Sequence, residues 1–387
     1  MRDMRQIRRI VEILVLLSFI VIGAVVVWDI TSHPSPPAGV PPSQNPVIGE
    51  AGPVLARHWM ELGNGRVQCR LCFRNCIIPE GQRGYCEARE NREGRLYSLV
   101  YGMIGAAHID PVEKEPLLHF LPGTSSLCFG TASCNFKCTY CHNWHLAVRR
   151  PEEVNSFFLS PEAAVERAKK LGCRSISFTY NEPTVFYEWM YDVAKLAKES
   201  GLKTYFHTNG GINPGPLREL LEYMDAVCVD LKGFTAQFFT TTSFSQLEPV
   251  LTTLKTVKEN GVWLEITCLI IPTLNDDMEQ IEEMCRWIKD NLGADVPVQF
   301  SRFFPAYKLV KLPPTPTDTL ERAREIAVAA GLKYVTIGNV PGHAANSTYC
   351  PKCGSVVIER VGFSVTANNL DQGKCKSCGY PIPGVWE

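Results

Sequence analysis

Cys134, Cys138 and Cys141 fall within eight residues of one segment, Thr131-Ala132-Ser133-Cys134-Asn135-Phe136-Lys137-Cys138-Thr139-Tyr140-Cys141-His142-Asn143-Trp144. Intervals of three and two residues let three thiolates converge on one cubane iron–sulfur cluster. Four-iron clusters normally take four thiolates. Three therefore leave one iron with an open position, by the logic that separates catalytic from structural zinc sites. An open iron can coordinate a substrate or a cofactor. Two other readings of these residues remain: a zinc site completed by His142 or His145, and a redox dithiol.

The chain has sixteen cysteines, and eight more of them form two further groups. Cys350-Pro351-Lys352-Cys353-Gly354 and Cys375-Lys376-Ser377-Cys378-Gly379 are two C-x2-C knuckles, each with a glycine for the tight bend. Together they read as a closed tetrahedral site for zinc or rubredoxin-type iron, structural in role. Cys69, Cys72, Cys76 and Cys86 form the other group, open to three readings: zinc, a second iron–sulfur cluster that relays electrons, or disulfides. Cys128, Cys173, Cys228, Cys268 and Cys285 are scattered through apolar runs and read as core. A chain of 387 residues needs no disulfide staples, so clustered cysteines point to metal.

The elements that must carry these groups follow from the hydrophobic pattern. Short β-branched runs alternate with helical stretches, the signature of βα units and a parallel sheet. Strands are predicted at Ser126–Phe129, Ser175–Thr179, Lys203–Thr208, Ala226–Leu231, Trp263–Ile271 and Val298–Ser301, with a last one near Tyr334–Ile337. Ser160-Pro161-Glu162 reads as a cap with proline in the first turn. Capping boxes are expected from Asp276 to Glu279 and from Asp318 to Glu321. Met284 and Cys285 recur at helical spacing with Ile281 and Ile288, and belong to the core. Six or seven such units make an open, partial barrel, whose functional residues lie at the C-terminal strand ends. The three-cysteine loop follows the first strand at that end. Asn181 and Glu182 end the second strand, where a carboxylate can take an ammonium group or cap the next helix. Thr208-Asn209-Gly210 ends the third, and Asp230 with Lys232 the fourth.

C-x3-C-x2-C after the first strand of a partial barrel resembles the radical S-adenosylmethionine (SAM) superfamily. In more detail the chain resembles the AmmeMemoRadiSam-system radical SAM enzymes, relatives of pyruvate formate-lyase activating enzymes. Residues that carry the likeness include Gly84-Tyr85-Cys86-Glu87-Ala88-Arg89-Glu90-Asn91, Leu99-Val100-Tyr101-Gly102, Glu115-Pro116-Leu117 and Thr179-Tyr180-Asn181-Glu182-Pro183-Thr184. His207-Thr208-Asn209-Gly210 and Val229-Asp230-Leu231-Lys232-Gly233 continue it, and it spans about residues 58 to 387. The resemblance implies an α/β fold, a partial (β/α)6 TIM-like barrel, with a [4Fe-4S] cluster on Cys134, Cys138 and Cys141. It implies SAM chelated to the open iron and cleaved reductively to methionine and a 5′-deoxyadenosyl radical that abstracts hydrogen. Tyr140 would pack on the adenine, while Asn181, Glu182, Asn209 and Asp230 would bind the rest of the cofactor. His343 would approach the adenosine end. The implied partners are an electron donor such as flavodoxin or ferredoxin and an unidentified protein or small-molecule substrate.

Ile10 to Trp28 are apolar except Glu12, Ser18 and Gly23, long enough as a helix to span roughly 28 Å. Arg2, Arg5, Arg8 and Arg9 precede the run and no Lys or Arg follows until Arg57, so the positive-inside bias puts the N-terminus in the cytoplasm. A single-pass anchor is expected, in preference to a cleaved signal peptide or a twin-arginine signal at Arg8-Arg9. Seven prolines between Ser32 and Pro53 read as a semi-rigid linker. The expected organisation is a basic tail (1–9), transmembrane anchor (10–28), linker (29–57), Cys-rich module (58–120), partial barrel (121–340) and a C-terminal four-cysteine, zinc-ribbon-like module (341–387). Charge bias places the body outside, whereas a low-potential cluster is more easily reduced inside, so the side stays open. Lys+Arg of 39 against Asp+Glu of 40 gives a net charge of -1, and no nucleic-acid partner is expected. Two competing functions remain: a glycyl-radical-enzyme activase, and a non-catalytic metal-binding or electron-transfer membrane protein.

Overall fold

The computed structural model describes residues 52–387. No helix among them is long and apolar enough to cross a membrane. The expected tail, anchor and most of the linker lie outside the described residues.

An open eight-stranded sheet organises the body: β1 (Ala106–Pro111), β2 (Ser125–Gly130), β3 (Ser175–Phe178), β4 (Lys203–Thr208), β5 (Ala226–Asp230), β6 (Trp263–Ile270), β7 (Val298–Arg302) and β8 (Val335–Gly338). Their spatial order is their chain order. β2 through β8 are mutually parallel. The crossovers carry α1 (Pro161–Lys170), α2 (Tyr187–Glu199), α3 (Pro214–Leu221), α4 (Leu247–Glu259), α5 (Met278–Leu292) and α6 (Thr317–Ala329). The result is six βα units and a final parallel strand.

Each strand sorts its side chains by alternation. Phe206, Val227 and Val229 point one way, into the core formed with the helices. Tyr205, Ala226 and Cys228 point the other way and meet Val112, Leu117, Phe120 and Leu121. The segment 112–121 therefore plugs the concave side of the sheet.

This corrects the boundary expected at residue 120. β1 is an antiparallel edge strand, with Ala106 opposite Gly130, and it and the plug belong to the barrel rather than to a separate module. Its burial is mostly intermediate and it lacks a β-branched run, so its pattern did not mark it as a strand. The linker boundary at 57 also moves. Val54–Leu55 forms a strand antiparallel to Arg95–Ser98, so the fold begins before residue 57. Ala56, Val67, Leu71, Ala88 and Leu96 share the core of the barrel, so the Cys-rich residues have no core of their own.

Capping agrees in part. Ser160 accepts a hydrogen bond from the Ala163 N–H at 3.2 Å and Pro161 opens α1. The cap of α5 is Asp277, one residue later than expected, because Asp276 instead accepts from the Thr273 N–H at 2.8 Å. α6 begins at Thr317 behind Pro316 and has no side-chain cap, which leaves Asp318 inside its first turn.

Candidate functional site

A cavity of about 370 Å³ opens at the C-terminal ends of the strands, within the range of small-molecule sites. Cys134, Cys138 and Cys141 line it, as do Tyr140, Asn181, Glu182, Asn209 and Asp230. The sites expected from the sequence thus converge, although they come from four different βα loops.

Asn181 fastens the cysteine loop. Its Oδ1 accepts from the Thr131 N–H at 2.9 Å, and its Nδ2 donates to the carbonyls of Ser133 at 2.7 Å and Ala132 at 3.2 Å. The amide is occupied by loop backbone, a positioning contact rather than a free ligand. Ser133 and Tyr180 flank this clasp with positive φ values of 78° and 68°. Such left-handed backbone costs a non-glycine residue about 1–2 kcal/mol. Ser133 is held there by its N–H donating to the Leu146 carbonyl and its Oγ donating to the Arg149 carbonyl.

Glu182 accepts from the Thr184 N–H at 3.0 Å, the Thr184 hydroxyl at 2.6 Å, the Thr208 hydroxyl at 2.8 Å and the Asn209 N–H at 2.8 Å. The capping contact is made, and the carboxylate also binds the end of β4. Burial raises its carboxyl above the usual range, against the pull of those donors. Asn209 joins the two halves of the site. Its Nδ2 donates to Asn135 Oδ1 at 2.9 Å and lies 3.6 Å from Cys134 Sγ. Gly211 lets the cysteine loop approach this closely, because a Cβ there would sit 2.9 Å from both Asn135 Nδ2 and the Phe136 ring.

The opposite wall carries charge. Asp230 Oδ1 lies 2.9 Å from His207 Nε2, and its other oxygen accepts from Lys232 Nζ at 2.5 Å. Burial opposes ionisation of Asp230, but Lys232 and His207 outweigh it and hold the carboxyl well below its ordinary value. Burial likewise works to lower the His207 pKa, and Asp230 outweighs it to give a net rise. Lys232 Nζ also stands 5.9 Å from the centre of the Tyr140 ring, whose hydroxyl is 3.2 Å from Ser243 Oγ. Burial raises the pKa of all three loop thiols, and Lys232 pulls Cys138 and Cys141 back down. Metal coordination is the interaction that makes such thiols thiolates.

His343 does not line the cavity. Its Nε2 lies 2.9 Å from Glu321 and its Nδ1 accepts from the Ala345 N–H, so it serves a local turn instead of an adenosine. His207 stands in a stretch that carries the family likeness but was given no role from sequence, because it sits inside a strand. Gln299 and Ser301 of β7 and Phe363 of the ribbon hairpin also line the cavity. Nothing in the local sequence marks them.

The ribbon cysteines lie apart from this cavity. Their four sulfurs are all within 4.8 Å of one another, with Cys350 to Cys378 at 3.6 Å and Cys353 to Cys375 at 3.8 Å. Bonds of about 2.3 Å to a tetrahedral ion set sulfurs about 3.8 Å apart. None of the sixteen cysteines is in a disulfide. Cys128, Cys173, Cys228, Cys268 and Cys285 are buried.

A family model described as the radical SAM superfamily matches residues 129–288. An uncharacterized protein of Methanocaldococcus jannaschii is 45% identical over 329 residues, 84% of this chain and 98% of that one. The pyruvate formate-lyase-activating enzyme of Clostridium pasteurianum is 28% identical over 175 residues, 44% of this chain and 71% of its own. Among solved structures, Streptococcus suis SuiB bound to S-adenosylmethionine is similar at a TM-score of 0.46 and 17% identity, over 59% of this chain and 53% of that one.

Proposed function

The chain belongs to the radical SAM superfamily, and from that premise we propose that its cavity holds a [4Fe-4S] cluster on Cys134, Cys138 and Cys141 together with SAM. The observation that carries the reading is the sharing of one cavity by three thiols and a polar wall drawn from three other strand ends. When bound, the pair supplies reductive cleavage of the sulfonium to methionine and a 5′-deoxyadenosyl radical, which takes a hydrogen atom from the substrate.

The residues of the chain bind and orient. Asn181 holds the cysteine loop in register with β3, and Asn209 donates toward Cys134. Glu182, buried and already holding Thr208 and Asn209, presents a carboxylate for the methionine ammonium group. Tyr140 offers its ring for the adenine, and Asp230 offers hydrogen-bond acceptors further round the wall, paired with His207 and Lys232. The four ribbon thiols fit a zinc ion of structural role.

Reconstituted protein given dithionite and SAM under anaerobic conditions is expected to release 5′-deoxyadenosine, and Cys138→Ala to abolish it. Absence of product from protein with a full iron complement sinks the reading and favours a metal-binding or electron-transfer scaffold. A second reading, activation of a glycyl-radical enzyme, is favoured by relatives named as activating enzymes. A glycyl-radical signal appearing in a partner enzyme separates it from modification of another protein or small molecule. A ferredoxin or flavodoxin is the proposed electron donor. Membrane attachment through residues 10–28 is proposed on their composition, and retention in carbonate-washed membranes tests it.

A further inference from the structure

We infer that Cys69, Cys72, Cys76 and Cys86 hold a second four-iron, four-sulfide cluster beside the first. All four line one cavity of about 20 Å³, together with Arg89 and Asn135. That is enough space for a water molecule. A single tetrahedral ion draws four sulfurs to about 2.3 Å and leaves no such space between them. The contrast within this molecule is direct. Among the described residues the ribbon thiols lie within 4.8 Å of one another, and no three of Cys69, Cys72, Cys76 and Cys86 do. A cubane spreads its ligands more widely, because each sulfur stands one bond beyond a corner iron.

Backbone donors face these sulfurs, and none of the four is in a disulfide. Main-chain N–H groups of Leu71, Arg74 and Ala88 are directed at Cys69, Cys72 and Cys86, and the Tyr85 N–H is 3.5 Å from Cys76 Sγ. Such hydrogen bonds to cluster sulfur tune iron–sulfur centres. Arg89 is 1% exposed. Its terminal nitrogens are occupied by Glu188, while its Nε is buried without a partner. An orphan donor on a buried cation, lining a cavity of four thiols, calls for an anionic acceptor. A thiolate-ligated cluster with bridging sulfides is one.

The place of this centre indicates its use, which rests on the function proposed above. Cys72 bridges to Ile212 beyond the end of β4, and Arg74 Nε donates to the Asn135 carbonyl at 3.0 Å. Asn135 borders the four-thiol cavity and is the chain neighbour of Cys134. One electron enters the second cluster from a donor of the ferredoxin or flavodoxin class. It then passes to the cluster on Cys134, Cys138 and Cys141, which is reduced by one as the second is reoxidised. No bond or proton moves.

The test leaves the four-thiol site intact. A full-length variant carrying Cys134→Ala, Cys138→Ala and Cys141→Ala is purified and reconstituted anaerobically, and its metals are quantified. About four irons, four sulfides and one zinc per chain are expected, with an electron paramagnetic resonance signal on dithionite reduction. Two zincs without sulfide, or no metal beyond the ribbon's, overturns the proposal. The relay is read in the wild type, reduced and freed of dithionite. Adding SAM should discharge both cluster signals, and a second cluster that stays reduced while 5′-deoxyadenosine forms overturns the relay. Failure of the radical chemistry itself shows separately, as wild-type protein with eight irons and no 5′-deoxyadenosine.

Discussion

Asn181 makes contacts out of proportion to its size, since one amide holds three successive residues of the cysteine loop. Its replacement by alanine strands the buried Thr131 N–H, at a cost of about 1–3 kcal/mol. Asn181→Ala is expected to lower iron retained after gel filtration, although all three thiols remain, and to lower the urea midpoint. Iron content equal to wild type would show that the loop holds its shape unaided. His207 offers a test by pH. Its pKa is raised on folding, so its contribution to stability is fully present below its unfolded value and is lost as pH rises through the folded one. The urea-midpoint gap between wild type and His207→Gln should therefore be wider at pH 6 than well above neutrality. A gap that widens with pH would contradict the pairing with Asp230.

Between elements, a buried ion pair adds to the shared apolar core in tying the N-terminal residues to the barrel. Arg89 donates from Nη1 and Nη2 to the two oxygens of Glu188 on α2, at 3.0 and 2.8 Å, and the Arg57 N–H adds a bond at 2.8 Å. Both side chains are nearly inaccessible. Removing one partner of such a buried pair costs about 3–5 kcal/mol, because the other charge is left uncompensated. Glu188→Gln is expected to destabilise the fold by that amount in urea unfolding, far more than Glu166→Gln, whose partner Lys170 is on the exposed face of α1. Equal effects would mean that the pair is not such a tie. The element least visible in sequence was β1. It is an edge strand joined to its partner through the plug segment, and its pairing with β2 rather than its own pattern makes it a strand.

For the molecule as a whole, the C-terminal ribbon carries both the proposed zinc site and part of the cavity wall. Phe363, in the hairpin between Val356–Val361 and Ser364–Asn368, lines the cavity, while Val385 pairs with Phe120 of the plug. Cys353→Ser is expected to release about one zinc per chain and to lower the Tm, with the irons of the three-cysteine loop retained. Loss of iron in proportion to zinc would show that the ribbon is needed to form the cavity.

The parallel strands were legible from sequence to within a residue or two, because each is a short β-branched run bounded by helical periodicity. The three-cysteine loop was legible because covalent spacing alone confines its thiols to one neighbourhood. The same held for each C-x2-C knuckle of the ribbon. Spacing could not tell a single ion from a cluster at Cys69, Cys72, Cys76 and Cys86, since both need four thiols from the same loops. The cluster proposed there rests instead on their separation around a cavity beside a buried, half-satisfied Arg89. Nor could sequence assign Asn181 to the loop backbone or bring His207 to Asp230, because each partnership joins residues more than twenty apart across neighbouring strands. Local composition and periodicity therefore determined the elements and their reactive residues. The tertiary structure decided which polar groups are already occupied, because hydrogen-bond satisfaction in a buried site depends on neighbours that the chain brings together only when it folds.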